Sequence, residues 1–573
     1  MMPTDRAVSE RAVADRAVTT AEWWRDAVIY QIYPRSFADS DGDGVGDLPG
    51  ITARLDHLAD LGVDALWLTP FYPSPQVDMG YDVADYCNVD PLFGTLSDVD
   101  ALLARAHGLG LRVIVDIVPN HCSSAHPKFA AALVAGPGSP EREWFVFREG
   151  RGADGSQPPN DWPGTDAGTA WTRVAAPDGA PEQWYLHLFD AAQPDWNWEN
   201  PAVADMFDEV LRFWLDRGVD GFRVDVSHGM VKAPGLPDMG PRSWNQVIPT
   251  VDPATRPPMW DQDGVHEIHR RWRKVVDEYD GRVLVAEAWL DARRGMLYVR
   301  PDEMHQSFNF AYLVTPWRAI DLRTTIDVSL AADGSVGAPT TWVLSNHDVV
   351  RHASRLGYSA DSAPAGGIGL GDPQPDRAFG LRRARAATTL MLALPGGAYL
   401  YQGEELGLPE VTDLPDESRT DYIWFASGGT SRGRDGCRVP LPWVHDAPSF
   451  GFGPGPMSWL PQPAWFVHHA VDVQRGLAGS TLELYRLALR LRRELGLGHG
   501  DVVWLETPPD VLGVRRGPVT VLTNTGSEAI QVPVLAGSRR LLDSTGEHTG
   551  APLESPTATL PPDTTWWLVP DRG

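Results

Sequence analysis

The stretch GVDGFRVD, residues 218–225, decides the fold that we expect for this chain. Its β-branched and aromatic residues are typical of a buried strand. Arg223 and Asp225 stand two apart at its end, so both side chains would leave the pleat on the same side. Two opposite charges can be buried together, whereas either one alone is costly to bury. On its own, such a strand indicates either a structural ion pair or a catalytic group.

Two further apolar runs end in an acid in the same way. The run VLVAE, residues 283–287, ends at Glu287, and the run TWVLSNHD, residues 341–348, ends at Asp348. Each interval between successive acids fits two strand-plus-helix units of roughly 30 residues, or one unit that carries a long insertion. Parallel strands surrounded by helices bring their C-terminal ends to one face, so the three carboxylates would meet there. Their repulsion raises at least one pKa, and a charged carboxylate beside a protonated one suits glycoside hydrolysis.

The order of apolar runs and helical patterns predicts the whole architecture. Strand-like runs alternate with helical patterns, which is typical of an α/β protein with a parallel sheet. Eight such runs predict a closed (β/α)8 barrel. The strand candidates cover residues 27–33, 63–68, 111–118, 219–224, 282–286, 306–310, 341–345 and 398–401.

Changes in composition along the chain predict its domains. The segment between the third and fourth strands is rich in Pro, Gly, Asp and Trp, which indicates a subdomain inserted over the barrel. Short alternating runs after the helical pattern at 482–495 indicate a C-terminal antiparallel β-sandwich domain. We therefore expect a polar N-terminal extension at 1–20, barrel segments at 21–118 and 193–497, the inserted subdomain at 119–192 and the β domain at 498–573.

The composition excludes several classes of protein. The 573 residues carry a net charge of −27, which disfavours nucleic acid and anionic membrane surfaces as partners. Three cysteines, Cys87, Cys122 and Cys437, form no disulfide framework and no Cys-x-x-Cys motif. The N-terminus lacks the apolar core of a signal peptide, and no 18-residue apolar run occurs. These features predict a cytoplasmic enzyme without a membrane span.

An acidic loop after the first strand predicts a metal site. The sequence DSDGDGVGD, residues 39–47, places oxygen ligands at alternate positions with glycines between them. Position 12 of the loop is Gly50 rather than glutamate, so the loop is not an EF-hand. We expect one structural divalent cation, Ca²⁺ first and Mg²⁺ second, and the alternative is an acidic turn without an ion. The predicted ligands are Asp39, Asp41, Asp43, the carbonyl of Val45, and Asp47.

Six motifs in order resemble the α-amylase family of glycoside hydrolases, on its branch of α-glucosidases and oligo-1,6-glucosidases. The resemblance extends over nearly the whole chain from about Trp23. It implies a (β/α)8 barrel, a small oligosaccharide or glucoside as substrate, no organic cofactor, and one divalent ion in the acidic loop. The motifs are DIVPNH at 116–121, QPDWNW at 193–198, GFRVD at 221–225, AEAW at 286–289, SNHD at 345–348 and YLYQGEE at 399–405.

The resemblance also implies a role for each of the three acids. Asp225 corresponds to the nucleophile of the family, and Glu287 corresponds to the general acid and base. Asp348 corresponds to the acid that grips the sugar hydroxyls in the transition state. Arg223 would keep Asp225 ionised by its charge.

Further residues match the substrate-binding positions of the family. His121 and His347 correspond to histidines that bind the terminal glucose. The loop MGYDVADY, residues 79–86, resembles the loop after the second strand, with Tyr81 stacking on the sugar and Asp82 binding its far hydroxyls. Arg438 corresponds to an arginine that pairs with that acid. Such a pair would close one end of the pocket and make cleavage exo.

The resemblance leaves the reaction partly open. We expect a retaining exo-α-glucosidase acting on short α-glucosides, with α-1,4 bonds favoured. Val226, directly after Asp225, is a feature of relatives that act on α-1,6 bonds. The alternatives are an α-1,6-glucosidase, a transglucosylase or sucrose-acting enzyme, and a catalytically inactive scaffold barrel. The sequence does not indicate the oligomeric state.

Overall fold

The structure is a computed structural model that describes residues 22–165, 168–175, 181–240, 256–358, 366–547 and 549–570. The predicted N-terminal extension at 1–20 lies outside the described residues. The strands are β1 (Val28–Ile32), β2 (Ala65–Leu68), β3 (Arg112–Ile117), β4 (Phe147–Arg148), β5 (Trp171–Ala175), β6 (Pro181–Leu186), β7 (Gly221–Val224), β8 (Val283–Ala286), β9 (Gln306–Ser307), β10 (Thr341–Val343), β11 (Gly397–Tyr401), β12 (Val503–Trp504), β13 (Val511–Arg516), β14 (Val519–Asn524), β15 (Ile530–Pro533), β16 (Ser538–Asp543), β17 (Pro552–Leu553), β18 (Thr557–Leu560) and β19 (Thr564–Pro570).

Helices follow most of the barrel strands. The α-helices are α1 (Leu48–Leu61), α2 (Leu96–Gly108), α3 (Pro127–Ala135), α4 (Pro201–Arg217), α5 (Val265–Val276), α6 (Ala292–Tyr298), α7 (Phe310–Val314), α8 (Ala319–Ser335), α9 (His352–Arg355), α10 (Arg377–Met391), α11 (Tyr422–Ala426), α12 (Asp435–Arg438), α13 (Val471–Gln474) and α14 (Thr481–Glu494).

Eight parallel strands form one sheet in the order β10-β11-β1-β2-β3-β7-β8-β9. The side chain of Thr341 on β10 donates a hydrogen bond to the carbonyl of Ser307 on β9, so the two end strands are also linked. The sheet is therefore a nearly closed barrel, and the predicted (β/α)8 fold is confirmed. Each of the eight strand candidates overlaps one barrel strand.

Local sequence explains how β7 is positioned in the barrel. Helix α4 begins after Asn200, whose side chain accepts a hydrogen bond from the N–H of Ala202, and it ends at Gly218 in the left-handed conformation. Within β7, a Cβ at Gly221 would lie 2.4 Å from the carbonyl oxygen of Val283 on β8. Glycine therefore allows these two strands to approach closely, and the acids that follow them are brought together.

Two smaller β structures accompany the barrel. The strands β4, β6 and β5 form an antiparallel sheet between β3 and α4, where an inserted subdomain was expected. At the C-terminus, an antiparallel six-stranded sheet and a two-stranded sheet share one apolar core. The antiparallel C-terminal domain is thus confirmed, while the exact bounds of the predicted domains stay a prediction. No helix among the described residues is long and apolar enough to cross a membrane.

Candidate active site

Arg223 is the centre of the charged cluster at the end of β7. Its side chain is 3% exposed, and its Nη1 donates to Asp225 Oδ1 at 2.6 Å and to Asp116 Oδ2 at 3.2 Å. Its Nη2 lies 3.4 Å from Glu287 Oε2. The alternation of β7 explains this geometry, because Phe222 is buried in the core while Arg223 and Asp225 leave the strand together. One guanidinium therefore contacts two of the three predicted catalytic acids.

Glu287 is held by donors at both carboxylate oxygens. Its Oε2 accepts the backbone N–H of Val226 at 2.7 Å, and its Oε1 accepts the indole N–H of Trp289 at 3.1 Å. Val226 has a φ of 44°, which is strained for a β-branched residue. The amide that contacts Glu287 thus belongs to a left-handed residue directly after Asp225.

Asp348 accepts hydrogen bonds from two arginines. Its Oδ1 lies 2.9 Å from Arg434 Nη1 and 3.0 Å from Arg438 Nη2. Its Oδ2 lies 3.2 Å from His347 Nε2. Burial raises the pKa of Asp348, but His347, Arg434 and Arg438 outweigh burial and lower that pKa well below its ordinary value. Asp348 is therefore ionised at neutral pH.

His347 is linked to Tyr81 on one side and to Gln31 on the other. Gln31 Nε2 lies 2.6 Å from His347 Nδ1, and Tyr81 Oη lies 2.7 Å from His347 Nε2. Because the Tyr81 hydroxyl donates to Asp116 Oδ2, it accepts from the imidazole, which assigns the proton to Nε2. The Tyr81 and His347 rings stack with centroids 5.3 Å apart. Stacking of Tyr81 on a sugar stays a prediction.

Asp116 is a site residue that the sequence reasoning quoted in a motif but gave no role. It is fully buried and accepts hydrogen bonds from Trp67, Tyr81 and Arg223. Burial raises the pKa of Asp116 to about 7, against the opposing effect of Arg223. Its position within the motif DIVPNH at the end of β3 was the available signal.

The predicted pair of Asp82 with Arg438 does not form. The carboxylate of Asp82 accepts the backbone N–H groups of Val77 and Asp78, each at 3.0 Å, so it stabilises its own loop. Arg438 instead donates to the His347 carbonyl and to Asp348. The prediction of this pair was therefore wrong, because both carboxylate oxygens of Asp82 accept backbone hydrogen bonds.

The ion pair between these two loops joins Asp78 and Arg434, each four residues earlier in the chain. Arg434 Nη2 lies 2.8 Å from Asp78 Oδ1 and 2.9 Å from the buried Asp421, while Arg434 Nη1 contacts Asp348. Burial raises the pKa of Asp78 to about 6, and Arg434 opposes this rise. Sequence reasoning missed both residues, although Asp78 directly precedes the quoted loop at 79–86.

His121 lies at the same end of the site as Asp78. Gln193 Nε2 is 3.1 Å from His121 Nε2 and donates to Asp78 Oδ2 at 3.2 Å. The amide of Asn120 lies 3.2 Å from His121 Nδ1. Burial lowers the pKa of His121 to about 4, so its ring is neutral. His121 is therefore within two hydrogen bonds of the Asp78–Arg434 pair.

The pKa of Asp225 depends on its burial and on several neighbouring charges. Burial, assisted by the charges of Glu287, Asp116 and Asp348, raises the pKa of Asp225 well above its ordinary value. Arg223 opposes this rise but does not reverse it. The expectation of at least one raised pKa agrees with this direction, and the role of Arg223 in keeping Asp225 ionised stays a prediction.

The acidic loop brings three of its predicted ligands together. Asp39, Asp41 and Asp43 each offer a carboxylate oxygen within 4.8 Å of the others. Burial and the neighbouring acids raise the pKa of Asp43, and a divalent cation would offset the repulsion among these carboxylates. Asp47 is outside this group, and it accepts N–H groups from Ser40 and from Gly50 at the start of α1. The residues therefore fit a hard cation, with Asp47 acting as a helix cap.

A second group with metal-ligand chemistry joins α5 to the segment after α6. His266, His269 and Glu303 are buried and close together. Glu303 Oε2 accepts from His266 Nδ1 at 2.7 Å, and its Oε1 lies 3.1 Å from Arg270 and also contacts Arg300. These two arginines already neutralise the glutamate, which favours a structural network over a cation site.

The barrel carries Arg223 at the ends of its strands, and this arginine contacts three acids, Asp116, Asp225 and Glu287. This arrangement defines a glycoside hydrolase. Residues 31–498 match the family described as the α-amylase catalytic domain, and the chain belongs to that family.

Relatives along nearly the whole chain support this assignment. A Rhizobium meliloti (strain 1021) protein named "Probable alpha-glucosidase" is 38% identical over 529 residues, which cover 89% of this chain and 90% of the relative. An oligo-1,6-glucosidase of Parageobacillus thermoglucosidasius is 32% identical, covering 82% of this chain and 84% of the relative. The crystal structure of the alpha-glucosyl transfer enzyme XgtA is 36% identical with a TM-score of 0.82, covering 96% of this chain and 99% of that chain.

Proposed function

We propose that this enzyme is a retaining, exo-acting α-glucosidase that releases α-glucose from the non-reducing end of short α-glucosides. The observation that carries the proposal is the contact of one guanidinium, that of Arg223, with both Asp225 and Glu287. Retention needs a nucleophile and an acid about 5–5.5 Å apart, and two carboxylates on neighbouring nitrogens of one guanidinium suit that separation.

The reaction proceeds in two steps at one anomeric carbon. Asp225 attacks that carbon and forms a covalent β-glucosyl ester while the bond to the leaving oxygen breaks, and Glu287 gives its proton to that oxygen. Glu287 then takes a proton from water, which attacks the same carbon and releases Asp225. Two inversions give net retention. Ionised Asp348 binds sugar hydroxyls and stabilises the positive charge of the transition state.

Exo cleavage is supported by the bridge that Arg434 makes between two loops. One guanidinium binds Asp78 after β2 and Asp348 after β10, and this bridge would close one end of the site. A closed end accepts a single terminal glucose, with His121 and Tyr81 as further binding residues. We favour α-1,4 bonds, and Val226 and the relatives named oligo-1,6-glucosidase make α-1,6 bonds the second choice.

Transglucosylation is a second candidate that uses the same intermediate with a sugar in place of water. The name of XgtA, an alpha-glucosyl transfer enzyme, and the trehalulose synthase MutB of Pseudomonas mesoacidophila MX-45 favour it. MutB is 28% identical with a TM-score of 0.81, covering 96% of this chain and 100% of that chain. The ratio of transfer to hydrolysis at high substrate concentration separates the two candidates.

The acidic loop is proposed to hold one structural divalent cation. Asp39, Asp41 and Asp43 would supply carboxylate ligands, with the carbonyl of Val45 as a further ligand. The loop contacts the segment after β11 through the hydrogen bond from the backbone N–H of Trp459 to the Gly44 carbonyl, so a bound cation would stabilise that junction.

A cytoplasmic location remains a prediction.

Proton NMR of the enzyme with maltose tests the proposal. We expect α-glucose to appear before mutarotation produces the β anomer. Early β-glucose would contradict retention. New glucosidic signals with little free glucose would favour transglucosylation. Absence of any reaction with maltose, isomaltose and sucrose would refute the glucosidase proposal.

A further inference from the structure

Trp289 contacts the one oxygen of Glu287 that is free to carry the catalytic proton. The Oε2 atom of Glu287 accepts the Val226 amide at 2.7 Å and lies 3.4 Å from Arg223 Nη2. Both of these groups are permanent donors, so a proton on Oε2 would face two N–H groups. The Oε1 atom accepts only the indole N–H of Trp289, at 3.1 Å, among the described residues. The proton of the acid therefore belongs on Oε1.

We propose that Trp289 is a positioning residue that orients Glu287 and stabilises its carboxylate form through the indole N–H. This inference rests on the proposed role of Glu287 as general acid and base. An indole N–H is a donor only, so it stabilises the carboxylate and competes with the proton for Oε1. The same contact favours the ionised form that accepts a proton from water in the second step.

The indole is held in place by a close aromatic stack. The rings of Trp289 and Phe310 are 3.9 Å apart with an interplanar angle of 4°. Phe310 is 4% exposed and begins α7, where Asn309 caps the helix. The direction of the N–H is thus fixed by a side chain that does not touch Glu287, which separates packing from hydrogen bonding in an experiment.

Other charged and titratable groups also face Glu287. Arg223 lies on β7, Asp225 directly follows that strand, and Asp116 lies on β3. His228, in the turn after Asp225, has an imidazole whose pKa is lowered by burial and influenced by Glu287. A substitution at Trp289 leaves all four groups in place, so a change in titration can be assigned to the lost donor.

The test compares Trp289→Phe with Phe310→Leu. Trp289→Phe keeps an aromatic ring in the stack but removes the N–H, so the carboxylate form of Glu287 loses one stabilising donor. The basic limb of kcat/KM for maltose should then move to higher pH by about 1 unit, the size expected for one hydrogen bond to a charged group. Phe310→Leu keeps the donor and should leave this limb within about 0.3 units, although packing loss lowers Tm.

A second readout does not depend on activity. Infrared titration of the protonated carboxyl band of Glu287, identified by its loss in Glu287→Gln, should show the same upward shift in Trp289→Phe. An unchanged band and an unchanged limb would overturn the inference, as would equal shifts in Phe310→Leu. If the wild-type enzyme cleaves no α-glucoside, the proposed function fails, and the infrared shift still decides the role of Trp289.

Discussion

Replacing Arg434 by glutamine tests how the site is closed at one end. Arg434 binds Asp78 at 2.8 Å and Asp348 at 2.9 Å, and it also pairs with Asp421, which is fully buried. The change removes the positive charge that joins the loop after β2 to the acid after β10. Both acids would then be misplaced relative to the terminal glucose.

The size of the effect follows from these contacts. Each hydrogen bond between charged groups contributes about 1.5–3 kcal/mol. Arg438 still holds Asp348 at 3.0 Å, so part of the interaction survives. We expect a net loss of about 3 kcal/mol in transition-state stabilisation, which corresponds to a decrease of about 100-fold in kcat/KM. Leaving Asp421 without its cation also destabilises the fold by about 3 kcal/mol.

The assay is kcat/KM for maltose, with circular dichroism and Tm to confirm folding. Arg432→Gln is the matched control, since Arg432 lies two residues away and pairs with Asp416, which is 63% exposed. A surface pair of this kind contributes about 0–1 kcal/mol, so this variant should keep activity within about twofold.

A double-mutant cycle identifies the partner of Arg434. Asp78→Asn and Arg434→Gln should show a coupling energy above about 1 kcal/mol, whereas Asp82→Asn and Arg438→Gln should be close to additive. Activity of folded Arg434→Gln within threefold of the wild type would refute the reasoning. Strong coupling of Asp82 with Arg438 would restore the pair expected from the sequence.

Three further predictions concern catalysis, pH and metal. Asp225→Asn and Glu287→Gln should each lower kcat for maltose by at least about 1000-fold without lowering Tm by more than a few degrees, and near-normal turnover would exclude these roles. Burial lowers the pKa of His305 to about 3, so the stability that its neutral form contributes is present above pH 6.5 and is lost as the pH falls. About 3 kcal/mol of the free energy of unfolding is lost by pH 4. Urea unfolding of His305→Gln should therefore show a shallower decline in stability between pH 6.5 and pH 4. EDTA should lower Tm, and an unchanged Tm with EDTA would exclude the cation. Asp41→Asn should weaken Ca²⁺ binding in calorimetry, whereas Asp472→Asn, in the exposed group of His445, Asp446 and Asp472, should not.

The barrel could be predicted because its signals are local. Each strand is a short apolar run, and three of these runs end in an acid. A buried acid of this kind needs an opposite charge or hydrogen-bond donors nearby. The spacing between the acids fits whole strand-plus-helix units, so the meeting of Asp225, Glu287 and Asp348 at one face could be expected. The number of units differs between the two intervals, because β7 and β8 are consecutive strands with a long connection, whereas β9 comes between β8 and β10.

The contacts between loops could not be predicted in the same way. Asp78 and Asp82 are both acids in one loop, and Arg434 and Arg438 are both arginines in another. Which of them pair depends on backbone hydrogen bonds, since Asp82 is taken by the amides of Val77 and Asp78. In the metal loop, Asp47 has the right spacing for a ligand and also caps α1, so its role as a ligand stays a prediction. Spacing alone does not distinguish these uses of a carboxylate.

The raised pKa of Asp225 was only partly foreseeable. The sequence indicates an arginine two residues away but does not show how many other acids share that arginine. In the structure, Arg223 also serves Asp116 and Glu287, so its charge is divided among three carboxylates. Burial therefore determines the direction of the shift.

The most direct test of the central claim is to trap the glucosyl-enzyme intermediate. A fluorinated α-glucosyl fluoride that forms the ester faster than it is hydrolysed would be added to the enzyme, followed by peptide mass spectrometry. We predict one added fluoroglucosyl group per chain, located on the peptide that contains Asp225 and absent in Asp225→Asn. Attachment to another residue, or turnover with no adduct and release of β-glucose, would contradict Asp225 as nucleophile of a retaining α-glucosidase.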